Sequence, residues 1–293
     1  MSALKEDGRQ VLPEQLALRE SVLGGTIGSI IIGGDAGTGT SGLARSISDE
    51  LEISPENTFL VGQVVRQFKK LDPETQTLLD RMVDETQENR ILKTNPSNPA
   101  IVESRLGPYL LSRARTTNPA LSLIAISIEL TAPKDTRMRR IRIRSIDDSI
   151  IDTQEELVDV YRDEASADVV TPLLERLTAL ETERVLAPKD GKLREFSLAS
   201  ITREEDRRKR EDIERFRNTY PWFQDLDIPD PFFPGVVAYG KRVYDISIPT
   251  QHLTQKQVAQ EVLRQIREFR QSEEFKRRVK THSLPPSGDV FPA

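Results

Sequence analysis

The chain has 293 residues, of which 37% are hydrophobic and 30% charged, and its formal net charge is −5. That balance fits a globular protein with charged surface helices, built as one large domain or one domain plus appendages, and the negative sign argues against a general nucleic-acid binder. The absence of cysteine excludes disulfides and thiolate metal sites, and two histidines, His252 and His282, are too few for a multi-histidine centre. No basic, apolar leader is evident and no segment approaches the roughly 20 apolar residues of a membrane span. The expected location is the cytoplasm, with neither membrane nor nucleic acid as partner.

Residues 1–26 are polar, with a weak helical pattern at Leu12, Leu16 and Leu18, and read as an N-terminal extension. Ile27 to Ile32 is an apolar, β-branched run suited to a buried parallel strand. It runs into Gly33-Gly34-Asp35-Ala36-Gly37-Thr38-Gly39-Thr40-Ser41-Gly42, a glycine-rich turn opening a helix to about Leu51. Gly34, four residues, Gly39, then Thr40 and Ser41 have the layout of a phosphate-binding P-loop, with threonine where lysine is usual. Such a loop presents backbone N–H groups to phosphate, and the helix N-terminus adds its dipole.

Phe59-Leu60-Val61-Gly62 reads as a short strand before a helix carrying Arg66. Asp72-Pro73-Glu74 marks the start of a helix to about Arg90. Asn95-Pro96-Ser97-Asn98-Pro99 is a turn, Ala100-Ile101-Val102-Glu103 a strand, and Leu121 to Leu130 a further strand. From Thr131 to Arg144 a basic helix begins, and residues 145–201 look like an insertion with acidic helical pieces at 153–163 and 172–185. Thr202 to Arg217 is a charged helix, Val243 to Ile248 a last strand, and Thr254 to Phe269 an amphipathic helix. Residues 271–293 read as a disordered tail. Strands alternating with helices predict an α/β domain over 27–270: a three-layer P-loop fold with a parallel sheet and helices on both faces.

Several short motifs, in collinear order, resemble the cytidylate kinase-like branch of the nucleoside monophosphate kinases, particularly its short archaeal type. They are the loop from Gly34 to Ser41, Gly62-Gln63-Val64-Val65-Arg66, and Asp80-Arg81-Met82-Val83-Asp84. They continue with Glu103-Ser104-Arg105-Leu106, Thr131-Ala132-Pro133 before Arg137, Arg139, Arg140 and Arg142, and Tyr244-Asp245-Ile246-Ser247-Ile248 with Thr254. Some members of that branch are similar in carrying threonine rather than lysine, whereas Ser104 stands where the family usually has glycine. Arg207-Arg208-Lys209-Arg210 with Arg215 resembles the family's arginine-rich lid, placed at 202–220, or is a solvated surface helix.

The resemblance implies phosphoryl transfer from ATP with Mg²⁺ to CMP or dCMP, with small-molecule nucleotides as partners, and a monomer is expected over an oligomer. Gly34, Asp35, Ala36, Gly37, Thr38, Gly39, Thr40, Ser41 and Gly42 would hold ATP, and the Ser41 hydroxyl would ligate Mg²⁺. Arg66 and Arg105 would clamp the acceptor phosphate, since guanidinium binds phosphate in a bidentate way. Arg105, Arg207 and Arg210 would act on the transferring group. Asp80 and Asp84 either help form the cytosine pocket or are ordinary helix positions, and Arg137 and Arg140 either contact ATP or lie on a solvated helix. Two alternatives stand beside this reading: a P-loop kinase of another small acceptor, and a silent nucleotide-binding or regulatory protein.

Overall fold

The computed structural model describes residues 13–67, 72–162, 167–186, 195–226 and 235–281. In chain order the elements are α1 (Pro13–Leu23), β1 (Ser29–Gly34), α2 (Thr40–Glu50), β2 (Thr58–Leu60), α3 (Val61–Gln67), α4 (Pro73–Leu92), β3 (Ala100–Glu103) and α5 (Gly107–Thr117). There follow the short α6 (Leu121–Ile124), β4 (Ala125–Thr131), α7 (Lys134–Arg162), α8 (Ala167–Leu186), α9 (Glu195–Thr219) and the short α10 (Pro221–Gln224). The chain closes with the hairpin β5 (Val237–Ala238) and β6 (Lys241–Arg242), then β7 (Ile246–Pro249), α11 (Gln255–Gln271) and α12 (Glu273–Thr281). These form two compact units: the described parts of Met1–Asp35, Gly39–Thr131 and Asp225–Ala293, and those of Ala36–Thr38 with Ala132–Gln224.

In the first unit, five strands make an all-parallel sheet in the order β2-β3-β1-β4-β7. Its centre is β1, whose Ile30, Ile31 and Ile32 are fully buried, as a parallel strand covered on both faces requires. Ile30 and Ile32 share a core with Leu43, Ala44 and Ile47 of α2 and with Val258, Val262 and Ile266 of α11. Ile31 faces the start of α5 at Gly107. Helices therefore flank both faces of the sheet. Local signals account for the helix starts: Asp72 accepts from the N–H groups of Glu74 (3.1 Å) and Thr75 (3.0 Å), and Thr254 and Gln257 form a capping box.

The structure departs from the sequence reading at several places. Residues 13–23 of the expected extension form a largely exposed helix whose C-terminal end joins the core: Val22 and Leu23 are buried, and Arg270 Nη1 donates to the carbonyls of Ser21 and Val22 at 3.0 Å. The apolar run from Leu121 is not one strand, because its first four residues form α6 and only Ala125 onward joins the sheet. Residues 273–281 are helical with Phe275 buried, so this part of the expected tail is ordered; residues 282–293 lie outside the described residues. The last sheet strand begins at Ile246, not Val243, and is preceded by the unforeseen β5–β6 hairpin.

In the second unit the expected insertion has no boundary at residue 145. Ser145 lies inside the 29-residue α7, and the acidic piece expected at 153–163 supplies that helix's C-terminal part. α7 and α8 pack through Ile143, Ile146, Ile150 and Leu180, with ion pairs Arg142–Glu183, Arg184–Asp147 and Arg176–Glu156 along the seam. Phe216 of α9 meets Phe223 of α10 edge-on, with ring centroids 5.6 Å apart.

Candidate functional site

The glycine-rich loop connects the carboxyl end of β1 to the first turn of α2. Gly37 (φ 80°) and Gly39 (φ 98°) are left-handed, and Gly39 has open space where a Cβ would sit, so its requirement is for backbone conformation alone. At Gly37 space matters too, because a Cβ would come within 2.5 Å of the Arg137 carbonyl oxygen. Both groups belong to the second unit, where the Arg140 Nη1 also lies 3.4 Å from the carbonyl oxygens of Gly37 and Thr38.

Thr40, in the position where a lysine was expected, opens α2 and donates its hydroxyl to Glu103 Oε1 at 2.8 Å. Glu103 ends the adjacent β3; its other oxygen is buried and has no hydrogen-bond partner among the described residues. Immediately beyond, the Ser104 hydroxyl accepts from the N–H groups of Leu106 (3.0 Å) and Gly107 (2.9 Å). Serine in the expected glycine position thus turns the chain into α5, and Arg105 stands half-buried within this turn.

Two more titratable groups, Glu129 and Tyr244, lie beside Gly33 at this end of the sheet. Glu129 of β4 is 3% exposed and accepts from the Ser247 hydroxyl at 2.8 Å. Burial pushes its carboxyl above the usual range and the Asp35 charge adds to this, against the hydrogen bonds from Ser247 and the Gly235 N–H. Tyr244, whose hydroxyl lies against Gly33, is likewise pushed up, chiefly by burial and then by Glu129 and Asp35. Asp245 contrasts with both. Burial works to raise its pKa, but Arg115 and Arg278 outweigh it and hold the carboxyl below the ordinary value.

The remaining expected site residues fall as follows. Ser41 and Gly42 are in the first turn of α2, where the Gly42 carbonyl accepts from Gln255 Nε2 at 3.0 Å. Arg66 belongs to α3, but its side chain lies outside the described residues. On α4, Asp80 accepts from Gln76 Nε2 at 2.9 Å, and Asp84, 3% exposed, accepts from Gln87 Nε2 at 3.2 Å. Sequence reasoning missed Gln87, which is 1% exposed; its signal was the three-residue spacing from Asp84 on the face that carries Val83 and Ile91.

Arg207 and Arg210 are on α9 of the second unit. Arg207 pairs with Glu204 at 2.7 Å and with Glu211, and hydrogen bonds from Arg207 first, then Arg208, bring Glu204 down to about 2. Among the described residues no group of three or more His, Cys, Asp or Glu could hold a metal ion, and no helix is long and apolar enough to cross a membrane. Comparison with protein-family models, curated proteins and solved structures returns no match.

Proposed function

We propose that this chain is a P-loop phosphotransferase that moves the terminal phosphoryl group of ATP to CMP or dCMP, as the cytidylate kinase-like resemblance implies. The observation that carries the reading is the loop itself. A buried central parallel strand ends in a turn with left-handed Gly37 and Gly39 and opens directly into an 11-residue helix at Thr40. That arrangement fits a polyphosphate, because N–H donors and the positive end of a helix converge on one place.

The N–H groups of Gly37 through Ser41 would cradle the phosphates, and the Ser41 hydroxyl would be the protein's ligand to a magnesium ion carried in on the nucleotide. Arg105, and Arg66 from α3, would receive the acceptor phosphate by bidentate contacts. Two polyanions must be brought in line, so the work of these groups is positioning and charge neutralisation. Arg207 and Arg210 would add charge at the transferring group, which requires Arg207 to exchange Glu204 and Glu211 for phosphate oxygens.

The Thr40–Glu103 hydrogen bond favours a second reading, nucleotide binding without transfer, because it puts a neutral donor and a carboxylate where an ammonium normally meets the outer phosphates. One charge-stabilising donor is typically worth about 2.7–4 kcal/mol in a transition state. ADP formation from ATP and Mg²⁺, measured with CMP, dCMP, UMP, AMP or no acceptor, separates the readings. Turnover dependent on CMP or dCMP supports the kinase, and Thr40→Lys then changes its rate. Nucleotide binding with no turnover in either form supports the silent protein.

A further inference from the structure

Residues 145–186 hold twelve acidic and three basic side chains, a net charge of −9 within a chain whose total is −5. They supply the C-terminal half of α7 and all of α8, which run antiparallel, as the Glu156–Arg176 and Asp147–Arg184 ion pairs require. The seam between the two helices is apolar, with Ile146, Leu157 and Leu173 buried. Three further aliphatic side chains stay outside it: Ile151 is 52% exposed, Val158 49% and Leu174 45%.

Their positions converge on one side of the helix pair. On α7, Ile151 and Val158 are seven residues apart, two turns along the same face. Asp147, four residues before Ile151, shares that flank, whereas Glu156, nine residues from Asp147, lies half a turn round the helix. On α8, Leu174 is two residues from Arg176 and so faces away from the Glu156 side. The register of the two ion pairs sets Leu174 about level with Val158, and Glu181 about level with Ile151. Asp148 and Glu155, both exposed and within a turn of Ile151, complete an acidic border. The result is an apolar face about 10 Å long edged by carboxylates.

Charge restricts what can cover it. A face-to-face contact with a second copy would set like charges together, and the phosphates of nucleic acid or anionic lipid would be repelled in the same way. A small polycation would leave the aliphatic centre in water. We propose that this face of the α7–α8 pair docks a basic amphipathic helix of a protein partner. Two antiparallel helices offer the groove that a third helix fills. Its apolar residues would meet Ile151, Val158 and Leu174, and its lysines or arginines Asp148, Glu155 and Glu181.

The test uses the full chain and a synthetic leucine–lysine peptide whose leucines recur at i, i+3, i+4 and i+7. Beside it stands an isomer of the same composition with its leucines spread round the helix. Binding is read by fluorescence anisotropy of the labelled peptides at low and at physiological salt. The amphipathic peptide is expected to bind at least about tenfold more tightly than the isomer, the scale of withdrawing half-exposed aliphatic side chains from water. Ile151→Ser with Val158→Ser and Leu174→Ser should remove that preference, leaving the weak, salt-sensitive binding common to both peptides. Asp148→Asn with Glu155→Gln and Glu181→Gln should weaken both peptides and flatten the salt dependence. All six positions are exposed, and circular dichroism checks each variant before titration. Should the serine variant fail to fold, the charge variant and the two peptides on the unaltered chain still decide. Equal binding of the two peptides, no binding of either, or a preference that survives the serine substitutions overturns the proposal. So does self-association of the unaltered chain that those substitutions abolish, since it would give the face to a second copy.

Discussion

Asp245→Asn keeps the shape of a buried side chain and removes its charge, which makes it a direct probe of the clamp behind the site. The carboxylate is 3% exposed and receives Arg115 Nη2 at 2.7 Å, Arg278 Nη1 at 3.0 Å and the Ser127 N–H at 2.8 Å. These contacts tie α5, β4, the entry to β7 and α12 together, and so fix Tyr244 and Ser247 on either side of Asp245. Arg115, 11% exposed, would be left with an uncompensated buried charge, whereas Arg278, 22% exposed, keeps Glu274 at 2.6 Å. Breaking a buried pair costs about 3–5 kcal/mol, and an asparagine oxygen that still accepts one of these donors puts the change near the lower end.

For a unit of this size that corresponds to a fall in melting temperature of about 6–12 °C, readable by calorimetry at neutral pH. The pH dependence checks the cause. The folded carboxyl titrates below its ordinary value of 3.8, so the unfolded chain takes up the proton first as the solution is acidified. Its stabilisation is complete above that value and is lost as the pH drops through the lower folded one. The gap between Asp245→Asn and the unaltered protein should thus hold steady from about pH 8 to 5 and close below about pH 4. A variant that melts within about 2 °C of the unaltered protein at pH 7, or a gap that persists in acid, would refute the reasoning.

Glu129→Gln tests the opposite sign. The folded pKa of Glu129 is raised above 4.5, so the folded protein favours the protonated acid and is penalised as the pH rises through that value. The neutral amide can still accept from Ser247 and Gly235, so the variant should melt higher than the unaltered protein near pH 8 and show no advantage near pH 4. Gly37→Ala introduces a Cβ 2.5 Å from the Arg137 carbonyl at a φ of 80°, and should weaken ATP binding by about tenfold or more by titration calorimetry. Unchanged ATP affinity would remove the loop tip from the nucleotide site. Ser104→Ala deletes the acceptor of two N–H groups at the start of α5 and should cost about 1–2 kcal/mol in denaturant unfolding.

Much of the architecture was legible in local pattern. The three consecutive isoleucines of β1 have no polar face to turn to water, which demands a strand covered on both sides. Asp72-Pro73 and Thr254 with Gln257 announce their helices through groups that satisfy the first free N–H donors. The glycines at 37 and 39 announce backbone angles that other residues rarely adopt. Boundaries within continuous apolar runs were not legible: Leu121 to Leu130 has no breaker, and only pairing of Ala125 with Ser29 of β1 decides where the strand begins.

What the amino-acid sequence by itself determined was therefore the set of buried strands, the capped helices and the glycine-rich turn, because each depends on residues within a few positions of one another. Tertiary structure decided which side chains meet. Thr40 finds Glu103 across 63 residues, Ser247 finds Glu129 across 118, and Asp245 finds Arg115 across 130. Even Gln87, a single turn from Asp84, is shut off from water only by packing. Periodicity and caps are short-range properties of a chain, but desolvation and charge pairing arise only once distant segments share a space that water has left.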